Sequence, residues 1–414
     1  MSFTQVTARL PRTRSVSAGH PTGRRLRVTV DGKFFRRGPE KFRFKGVTYG
    51  SFGPGPEGDP FPGREQVRAD FELIRRLGAN GLRVYDLPPI WLLDVAEQER
   101  LQVLVDIPWA KHSCFLDHRQ TRREAEQSVR EAVRDRGSHP AVFAFSVANE
   151  IPADVVRWSG ARRVAAFLER LIEIGRELEP GCLYTHASFP PTEFLQARNA
   201  DFSCYNVFLH RRGPFEQYLA RLQLHAEGKP LVLGEYGIDS LREGEDVQAE
   251  TLGWQTEMAF RLGLGGAVVF GFTDDWYRGG RLIEDWAFGL TRANREPKPA
   301  FHAVRAAFER VNEPGLARYP KVSVVVACHN GERTLAACLD SLGTLNYPDY
   351  EVILVDDGST DRTAGIAAEF GEIRYVQQPP LGLSVARNPG IAGSKGEVVA
   401  FTDADCRAGE AWLR

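Results

Sequence analysis

Two glutamates stand at the ends of apolar runs in this 414-residue chain. The run "VFAFSVANE" (142–150) ends in Asn149-Glu150, and the run "PLVLGEYG" (230–237) carries Glu235 towards its end. An apolar run of this length, bounded by polar residues, is typical of a strand that is buried on both faces, as in a parallel sheet. A polar cap on a strand end is the structural alternative. Two carboxyl groups that meet in one cleft could instead share the work of an acid and a base or nucleophile.

The elements that must position these glutamates alternate strands with amphipathic helices. The strand candidates are 42–50, 81–86, 101–109, 141–150, 182–186, 201–208, 230–237 and 265–272. The clearest helix candidates are 64–78, 121–136, 160–179, 214–227, 246–263 and 298–311. Eight such units over about 285 residues predict an α/β chain folded as a (β/α)8 TIM barrel. An open doubly wound sheet is the alternative, but it would not easily take eight successive units.

Catalytic groups of such barrels lie at the C-terminal ends of the strands. Those ends carry Glu150 on the fourth strand and Glu235 on the seventh, with Arg83 on the second. A pair of carboxyl groups across a cleft is what glycoside hydrolysis requires, because one acid protonates the departing oxygen while the other attacks the anomeric carbon or activates water. We expect this chemistry to need no metal or other cofactor in the barrel.

Three phrases carry a family resemblance: "SHPAVFAFSVANE", "GKPLVLGEYG" and "GANGLRVYD". They resemble the catalytic barrel of glycoside hydrolase family 2, whose members are retaining glycosidases. The resemblance implies Glu150 as general acid/base, Glu235 as nucleophile and Asn149 as a partner of the sugar 2-hydroxyl. It further implies that Arg83 and Tyr205 aim Glu235 and keep it ionised, so we expect the pKa of Glu235 to be held down.

The resemblance covers about residues 26–310 and leaves other site residues open. Trp276 is a candidate platform for a sugar ring, or else a core or lid tryptophan. Trp109 is a candidate subsite residue. His186 is a candidate for substrate hydroxyls, with a structural histidine equally favoured. The chain lacks the N-terminal β-sandwich domains usual in that family, which leaves the exact family and the sugar open.

The C-terminal part carries a second resemblance. The phrases "VSVVVACHNGERTLAACLDSL", "YEVILVDDGSTDRT" and "GLSVARNPGIAGSKGEVVAFTDAD" resemble the start of a family 2 glycosyltransferase. The resemblance implies that Asp356 and Asp357 contact the base of a nucleotide-sugar. It also implies that Asp403 and Asp405 hold Mg²⁺ or Mn²⁺ on the diphosphate of the donor. A turn followed by a helix N-cap is the structural alternative for Asp356 and Asp357.

These patterns together predict the domain organisation. We expect a disordered N-terminus (1–24), the barrel (25–311), a linker rich in proline and glycine (312–319), and an incomplete α/β nucleotide-sugar-binding, GT-A-like domain (320–414). Because the acceptor half of such a domain is missing, we expect the transferase part to be truncated, with negligible activity.

Composition excludes several other classes of protein. A net charge of −1 favours neither nucleic acid nor an anionic membrane as a partner. The six cysteines show no CxxC spacing, which argues against a zinc site or a disulfide framework. No signal peptide or membrane-spanning run is evident. We expect a cytoplasmic chain, while membrane association of the full-length protein stays open.

The sequence therefore predicts a retaining β-glycosidase fused to a partial nucleotide-sugar glycosyltransferase. Its expected partners are an oligosaccharide or polysaccharide substrate and, for a complete transferase, a nucleotide-sugar. Two alternatives remain open. The barrel could be a transglycosylase, because hydrolysis and transglycosylation pass through the same glycosyl-enzyme. It could also be only a carbohydrate-binding module of a glycosyltransferase.

Overall fold

The computed structural model describes residues 26–55, 58–311, 319–371, 373–410 and 412–413. The predicted disordered N-terminus and all but the last residue of the predicted linker lie outside these residues. The described residues fall into two compact units, 26–311 and 319–413. Within the described ranges, no helix has the length and apolar character needed to cross a membrane.

The first unit is a closed barrel of eight parallel strands, which confirms the predicted fold. The barrel strands, in chain order, are β4 (Phe44–Thr48), β5 (Gly81–Val84), β6 (Gln102–Asp106), β7 (Val142–Asn149), β8 (Leu183–Ser188), β9 (Ser203–Asn206), β10 (Leu231–Tyr236) and β11 (Gly266–Val269). β11 pairs with β4 and closes the ring. The apolar runs become strands because both of their faces are covered, by the barrel interior on one side and by helices on the other. β7, for example, is buried along all its residues except Asn149.

Helices cover the outside of the barrel. They are α1 (Arg64–Arg76), α2 (Ile90–Gln98), α3 (Arg119–Arg136), α4 (Ala153–Ser159), α5 (Ala161–Leu178), α6 (Arg212–His225), α7 (Ser240–Glu243), α8 (Glu245–Arg261) and α9 (Pro299–Val311). In α5 the buried residues include Val164, Leu168, Leu171 and Ile172, a spacing that places one apolar face on the barrel. Between β8 and β9 the described chain has only a short 3-10 turn, Pro190–Thr192.

An antiparallel sheet precedes the barrel, formed by β1 (Val28–Asp31), β2 (Phe34–Arg37) and β3 (Glu40–Phe42). From it Phe35 packs edge to face on Phe143 and Phe202, with ring centroids 5.1 and 5.4 Å apart. Phe44 stacks on Phe143 at 4.6 Å. Phe44 and Phe143 lie at the beginnings of β4 and β7, so this aromatic layer fills the N-terminal end of the barrel and leaves the opposite end for a site.

A short hairpin follows β11 and was not predicted from the sequence. It consists of β12 (Trp276–Arg278) and β13 (Arg281–Ile283), joined by Gly279 and Gly280, which both adopt positive φ. Three-residue strands carry too little apolar alternation to be recognised in a sequence. This hairpin holds Trp276 and Arg278 beside the barrel mouth.

The second unit contains a four-stranded parallel sheet in the order β16-β15-β14-β17. Its elements are β14 (Val322–Cys328), α10 (Leu335–Gly343), β15 (Tyr350–Asp357), α11 (Thr363–Glu369), β16 (Ile373–Gln378), α12 (Leu383–Gly393) and β17 (Val398–Asp403). The strand order reverses between β14 and β17, and in doubly wound sheets ligands bind outside the carboxyl ends of the strands at such a point. Asp356, Asp357 and Asp403 lie at that edge, since Asp356 pairs with Cys328 and Asp403 with Ala327.

Candidate active site

A fully buried guanidinium joins four strands at the C-terminal end of the barrel. Arg83 binds both oxygens of Asp106, at 2.6 and 3.3 Å, and donates to Oδ1 of Asn206 and Oδ1 of Asn149, both at 2.9 Å. Its Nη1 also lies 3.1 Å from Oε1 of Glu235. Burial alone would lower the pKa of Arg83, but Asp106, Tyr85 and Glu235 raise it above its ordinary value. Arg83 therefore stays charged and orients its neighbours.

Glu235 is held by one cation and one hydroxyl. The hydroxyl of Tyr85 donates to Oε1 of Glu235 at 2.8 Å, the same oxygen that faces Arg83. Burial raises the pKa of Glu235 to about 7; Arg83 and the Tyr85 hydrogen bond lower it, and the Glu150 carboxylate raises it. The expectation of a depressed pKa was wrong, because loss of solvent outweighs the two stabilising partners at a side chain that is only 7% exposed.

Glu150 follows β7 on a left-handed turn. Its φ is 50°, a region that costs a residue with a Cβ about 1–2 kcal/mol. The turn is anchored by its backbone N–H, which donates to Ala187 O at 2.9 Å. Its carboxylate accepts a hydrogen bond from Nδ2 of Asn206 at 2.8 Å, and the same amide reaches Oδ1 of Asn149 at 3.0 Å. Asn206 therefore links Glu150 to the hydrogen-bond network around Arg83.

Tyr205 does not hold Glu235, which corrects the sequence expectation. Its hydroxyl instead donates to Glu193 O at 3.2 Å. Side chains alternate across a strand, so of two adjacent residues only one faces the barrel interior. In β9 that residue is Asn206, and the hydroxyl that reaches Glu235 comes from Tyr85 just beyond β5. Tyr85 stands two residues after Arg83 in "GLRVYD", so the two-residue period could have identified it from the sequence.

His186 and Trp109 also lie away from the two glutamates. His186 is buried, and its Nε2 contacts Leu195 O at 3.0 Å. It alternates with the inward-facing Ala187 of β8 and therefore points to the outside of the barrel. Trp109 donates from Nε1 to Val147 O at 2.7 Å and packs edge to face on Phe115. Both side chains contact backbone carbonyl groups, and neither lines the cavity that contains the glutamates.

One cavity of about 560 Å³ contains both glutamates and Asn149. Its apolar wall consists of aromatic residues from the segments after β9 and β11, namely Phe208, Phe270, Trp276, Trp286 and Phe288. The Phe270 and Trp276 ring centroids are 4.9 Å apart, and Trp276 also meets Tyr85 edge to face at 5.9 Å. The structure thus brings Trp276 to the glutamates, and its ring is half-buried, as a stacking platform for a sugar would need to be.

Titratable residues from three loops also line the cavity. They are Lys111 and His112 after β6, Asp239 and Arg242 after β10, and Arg278 in β12. None of them was identified from the sequence, because loop residues follow no strand or helix period. Asp239 is buried and accepts hydrogen bonds from the N–H groups of Leu241 and Ala287. Arg242 Nε lies 3.3 Å from Oδ2 of Asp239.

Asp356 and Asp357, the acidic pair of the second unit, accept hydrogen bonds from residues of the same unit. Asp356 is fully buried, accepts the Ser359 N–H at 2.8 Å, and takes the Tyr375 hydroxyl on its other oxygen. Both carboxylate oxygens of Asp356 are therefore bonded within the unit, and its contact with a nucleotide base stays a prediction. Asp357 lies at the strand end and accepts the N–H groups of Leu381 and Gly382, at 2.8 and 2.7 Å. These N–H groups, together with the side chain of Gln378, lower the pKa of Asp357.

The candidate metal ligands Asp403 and Asp405 flank the end of β17. Oδ1 of Asp403 accepts a hydrogen bond from Arg387 at 3.2 Å, and Asp405 is exposed. Among the described residues, no group of three or more His, Cys, Asp or Glu side chains could hold a metal ion. Two carboxylates nevertheless suit Mg²⁺ or Mn²⁺, which take hard oxygen ligands and commonly complete their shell with waters and substrate phosphates.

Known proteins resemble the two units separately. Residues 323–414 match the family described as Glycosyl transferase family 2. The glycosyltransferase GlyA of Streptococcus pneumoniae is 43% identical over 89 residues, which is 20% of this chain and 13% of that protein. The chain thus spans a small part of this relative's length.

Solved structures resemble the barrel. A GH2 β-galacturonidase from Eisenbergiella tayi, bound to galacturonate, superposes with a TM-score of 0.59 at 20% identity over 69% of this chain and 54% of its own. A β-glucuronidase from Ruminococcus gnavus, in complex with uronic deoxynojirimycin, superposes with a TM-score of 0.58 at 18% identity. The match covers 68% of this chain and 52% of the β-glucuronidase. At this identity the likeness shows the fold. The chain therefore joins a barrel with the fold of family 2 glycosidases to a segment of the glycosyltransferase family 2 type.

Proposed function

We propose that the barrel is a retaining β-glycosidase with Glu150 as general acid/base and Glu235 as nucleophile. The observation that carries this proposal is the pair of carboxyl groups in one cavity, each with its own hydrogen-bond donor. Glu235 has Tyr85 and Glu150 has Asn206, while Arg83 contacts Glu235 and Asn206 alike. A site that only bound carbohydrate would not need two carboxyl groups held in this way.

The arrangement supports a double displacement. In the first step a carboxylate oxygen of Glu235 forms a bond to the anomeric carbon, while Glu150 gives its proton to the departing glycosidic oxygen. In the second step Glu150 takes a proton from water, which attacks the same carbon and releases Glu235. Asn149 lines the cavity, and its NH₂ group is the part that can donate to the sugar 2-hydroxyl, since its Oδ1 is occupied by Arg83 and Asn206.

The protonation of Glu235 sets the pH at which this reaction runs. Burial raises its pKa to about 7, so the nucleophile loses its proton near neutral pH. Because only the ionised form attacks, kcat/KM should rise with pH through this value. A nucleophile that is poorly solvated but bound to Arg83 and Tyr85 is also ready to react without first shedding water.

The test is turnover of a panel of aryl β-glycosides by the full chain, beside the Glu235→Gln and Glu150→Gln variants. Cleavage that is lost in Glu235→Gln supports the proposal, and retention of the β-configuration in the first product identifies the double displacement. Transfer to an added sugar acceptor would assign the chain to transglycosylation. Absence of turnover, combined with oligosaccharide binding that neither variant alters, would reduce the barrel to a binding module.

For the second unit we propose a nucleotide-sugar site at the edge formed by β14, β15 and β17. Asp357 is the candidate for the base, and Asp403 and Asp405 would hold Mg²⁺ or Mn²⁺ on the diphosphate. The ion would neutralise the charge of the departing diphosphate. The test is titration of the full chain with Mn²⁺ in the presence of each nucleoside diphosphate. Asp403→Asn should abolish Mn²⁺ binding, whereas the exposed Asp340→Asn on α10 should not; equal binding by both would overturn the assignment.

A further inference from the structure

Two cations face the glutamate cavity without a carboxylate of their own. Lys111 comes from the loop after β6 and Arg278 from the hairpin after β11, and both line the cavity. In the parts of the chain that the structure describes, no carboxylate oxygen lies within 4.0 Å of either side chain, and neither makes a side-chain hydrogen bond. Among the charges that act on Lys111, Asp106 and Glu150 raise its pKa, whereas Arg83 and Arg278 lower it. Lys111, Arg278 and the acid/base candidate Glu150 line one cavity.

The acids of the cavity already have other partners. Glu235 is bound by Arg83 and Tyr85, and Glu150 by Asn206. Asp239 is satisfied by two backbone N–H groups and Arg242. The charges of Lys111 and Arg278 therefore remain for a ligand rather than for the protein.

The position of Lys111 is costly unless an anion enters the cavity. Its side chain is half-buried, and burial lowers its pKa. A partly desolvated ammonium without a paired carboxylate is unfavourable, and an arriving anion would relieve that cost. Arg278 is exposed where it lines the cavity, so its guanidinium is accessible to a ligand.

We propose that Lys111 and Arg278 select a carbohydrate that carries an anionic substituent, such as the carboxylate of a uronic acid, in the cavity of Glu150 and Glu235. This inference rests on the proposed glycosidase function and names its substrate class. Charge-assisted hydrogen bonds from an ammonium and a guanidinium recognise a carboxylate more strongly than a neutral hydroxymethyl group. Two cations on separate loops would also fix the orientation of the sugar ring against the aromatic wall.

The experiment compares substrates that differ only in the charged group. The full chain is assayed on 4-nitrophenyl β-D-glucuronide and β-D-glucoside, and on the corresponding galacturonide and galactoside. The variants are Lys111→Met and Arg278→Gln. Arg281→Gln is the matched control, because Arg281 is exposed in the same hairpin and does not line the cavity.

We expect the wild type to prefer a uronide over its neutral counterpart. Each cavity variant should lower the uronide-to-neutral ratio of kcat/KM by about 10- to 100-fold, the usual effect of losing one charge-assisted hydrogen bond. The control should keep the ratio. A wild type that prefers the neutral glycosides, or a loss that is equal for both substrates, would overturn the proposal and assign the cations to hydroxyl contacts.

A binding assay separates this proposal from the glycosidase proposal. If no aryl glycoside is cleaved, the glycosidase function fails, and binding of free D-glucuronate and D-glucose is measured by calorimetry. Glucuronate binding that is weakened in both cavity variants would uphold the anion site; equal binding of both sugars would refute it. A 6-O-sulfated β-glucoside in the same assays distinguishes a sulfate ester from a carboxylate as the preferred anion.

Discussion

Substituting Tyr85 by phenylalanine tests the central hydrogen bond of the site. The hydroxyl of Tyr85 donates to Oε1 of Glu235 at 2.8 Å, and burial and the carboxylate raise the pKa of Tyr85 above its ordinary value, so it remains a donor. A hydrogen bond to a charged group contributes about 1.5–3 kcal/mol. This bond favours the ionised form of Glu235, and its loss should move the acidic limb of kcat/KM from about pH 7 upwards by about one to two pH units.

The expected consequence at neutral pH is large. Near pH 7 about half of the wild-type molecules have an ionised Glu235, so the shift should lower kcat/KM of Tyr85→Phe by about 5- to 50-fold. The deficit should shrink as the pH rises above the new limb. The assay is kcat/KM between pH 5 and 9 on whichever aryl glycoside is cleaved.

Tyr205→Phe is the control, because it removes the hydroxyl that the sequence favoured but that bonds to Glu193 O. Tyr205→Phe should leave the pH of the acidic limb of kcat/KM unchanged. The reasoning is refuted if Tyr205→Phe moves the limb while Tyr85→Phe does not, or if Tyr85→Phe lowers kcat/KM by the same factor at every pH.

Two further substitutions test the packing and the electrostatic cost of the site. A Cβ on Gly234 would lie 2.7 Å from Asn206 Oδ1 and 2.8 Å from Arg83 Nη1, so Gly234→Ala should cost at least about 10-fold in kcat. Gly253→Ala on α8, where the nearest atom is 3.6 Å away, should leave kcat unchanged in the same assay and keep or raise stability to urea. Glu235→Gln should abolish turnover yet stabilise the fold at pH 8, because a folded pKa of about 7 against the ordinary 4.5 means that ionised Glu235 opposes folding by up to about 3 kcal/mol. That gain, measured by urea unfolding, should vanish as the pH falls towards 4.5; a gain that is equal at pH 5 and pH 8 would contradict the burial argument.

The fold and three central side chains follow from local sequence patterns. Apolar runs that recur between amphipathic helices specify buried parallel strands, and the ends of such strands meet at one edge. The sequence alone therefore suffices to place Glu150, Glu235 and Arg83 together. Tyr85 obeys the same rule, since it stands two residues after Arg83, and only its significance went unrecognised.

The largest error in the predicted site concerns which residue of β9 faces the barrel interior. In "CYN" the resemblance to glycoside hydrolase family 2 implies that the tyrosine aims Glu235. The register of β9 in the closed ring turns Asn206 inwards and Tyr205 outwards, and a shift by one residue would have reversed them. When a strand is buried on both faces, its two faces do not differ in polarity. The residue types alone therefore do not show which side chain faces the barrel interior.

What the sequence by itself determined is thus the order of the elements, the barrel and the strand ends that carry the carboxyl groups, because these depend on periodicity within short segments. Tertiary structure alone decided which donors reach Glu235, how far burial raises its pKa, and that Lys111 and Arg278 face the same cavity. These properties depend on distances between segments far apart in the chain and on how much solvent the closed ring excludes. Neither quantity is encoded in the spacing of residues along one strand.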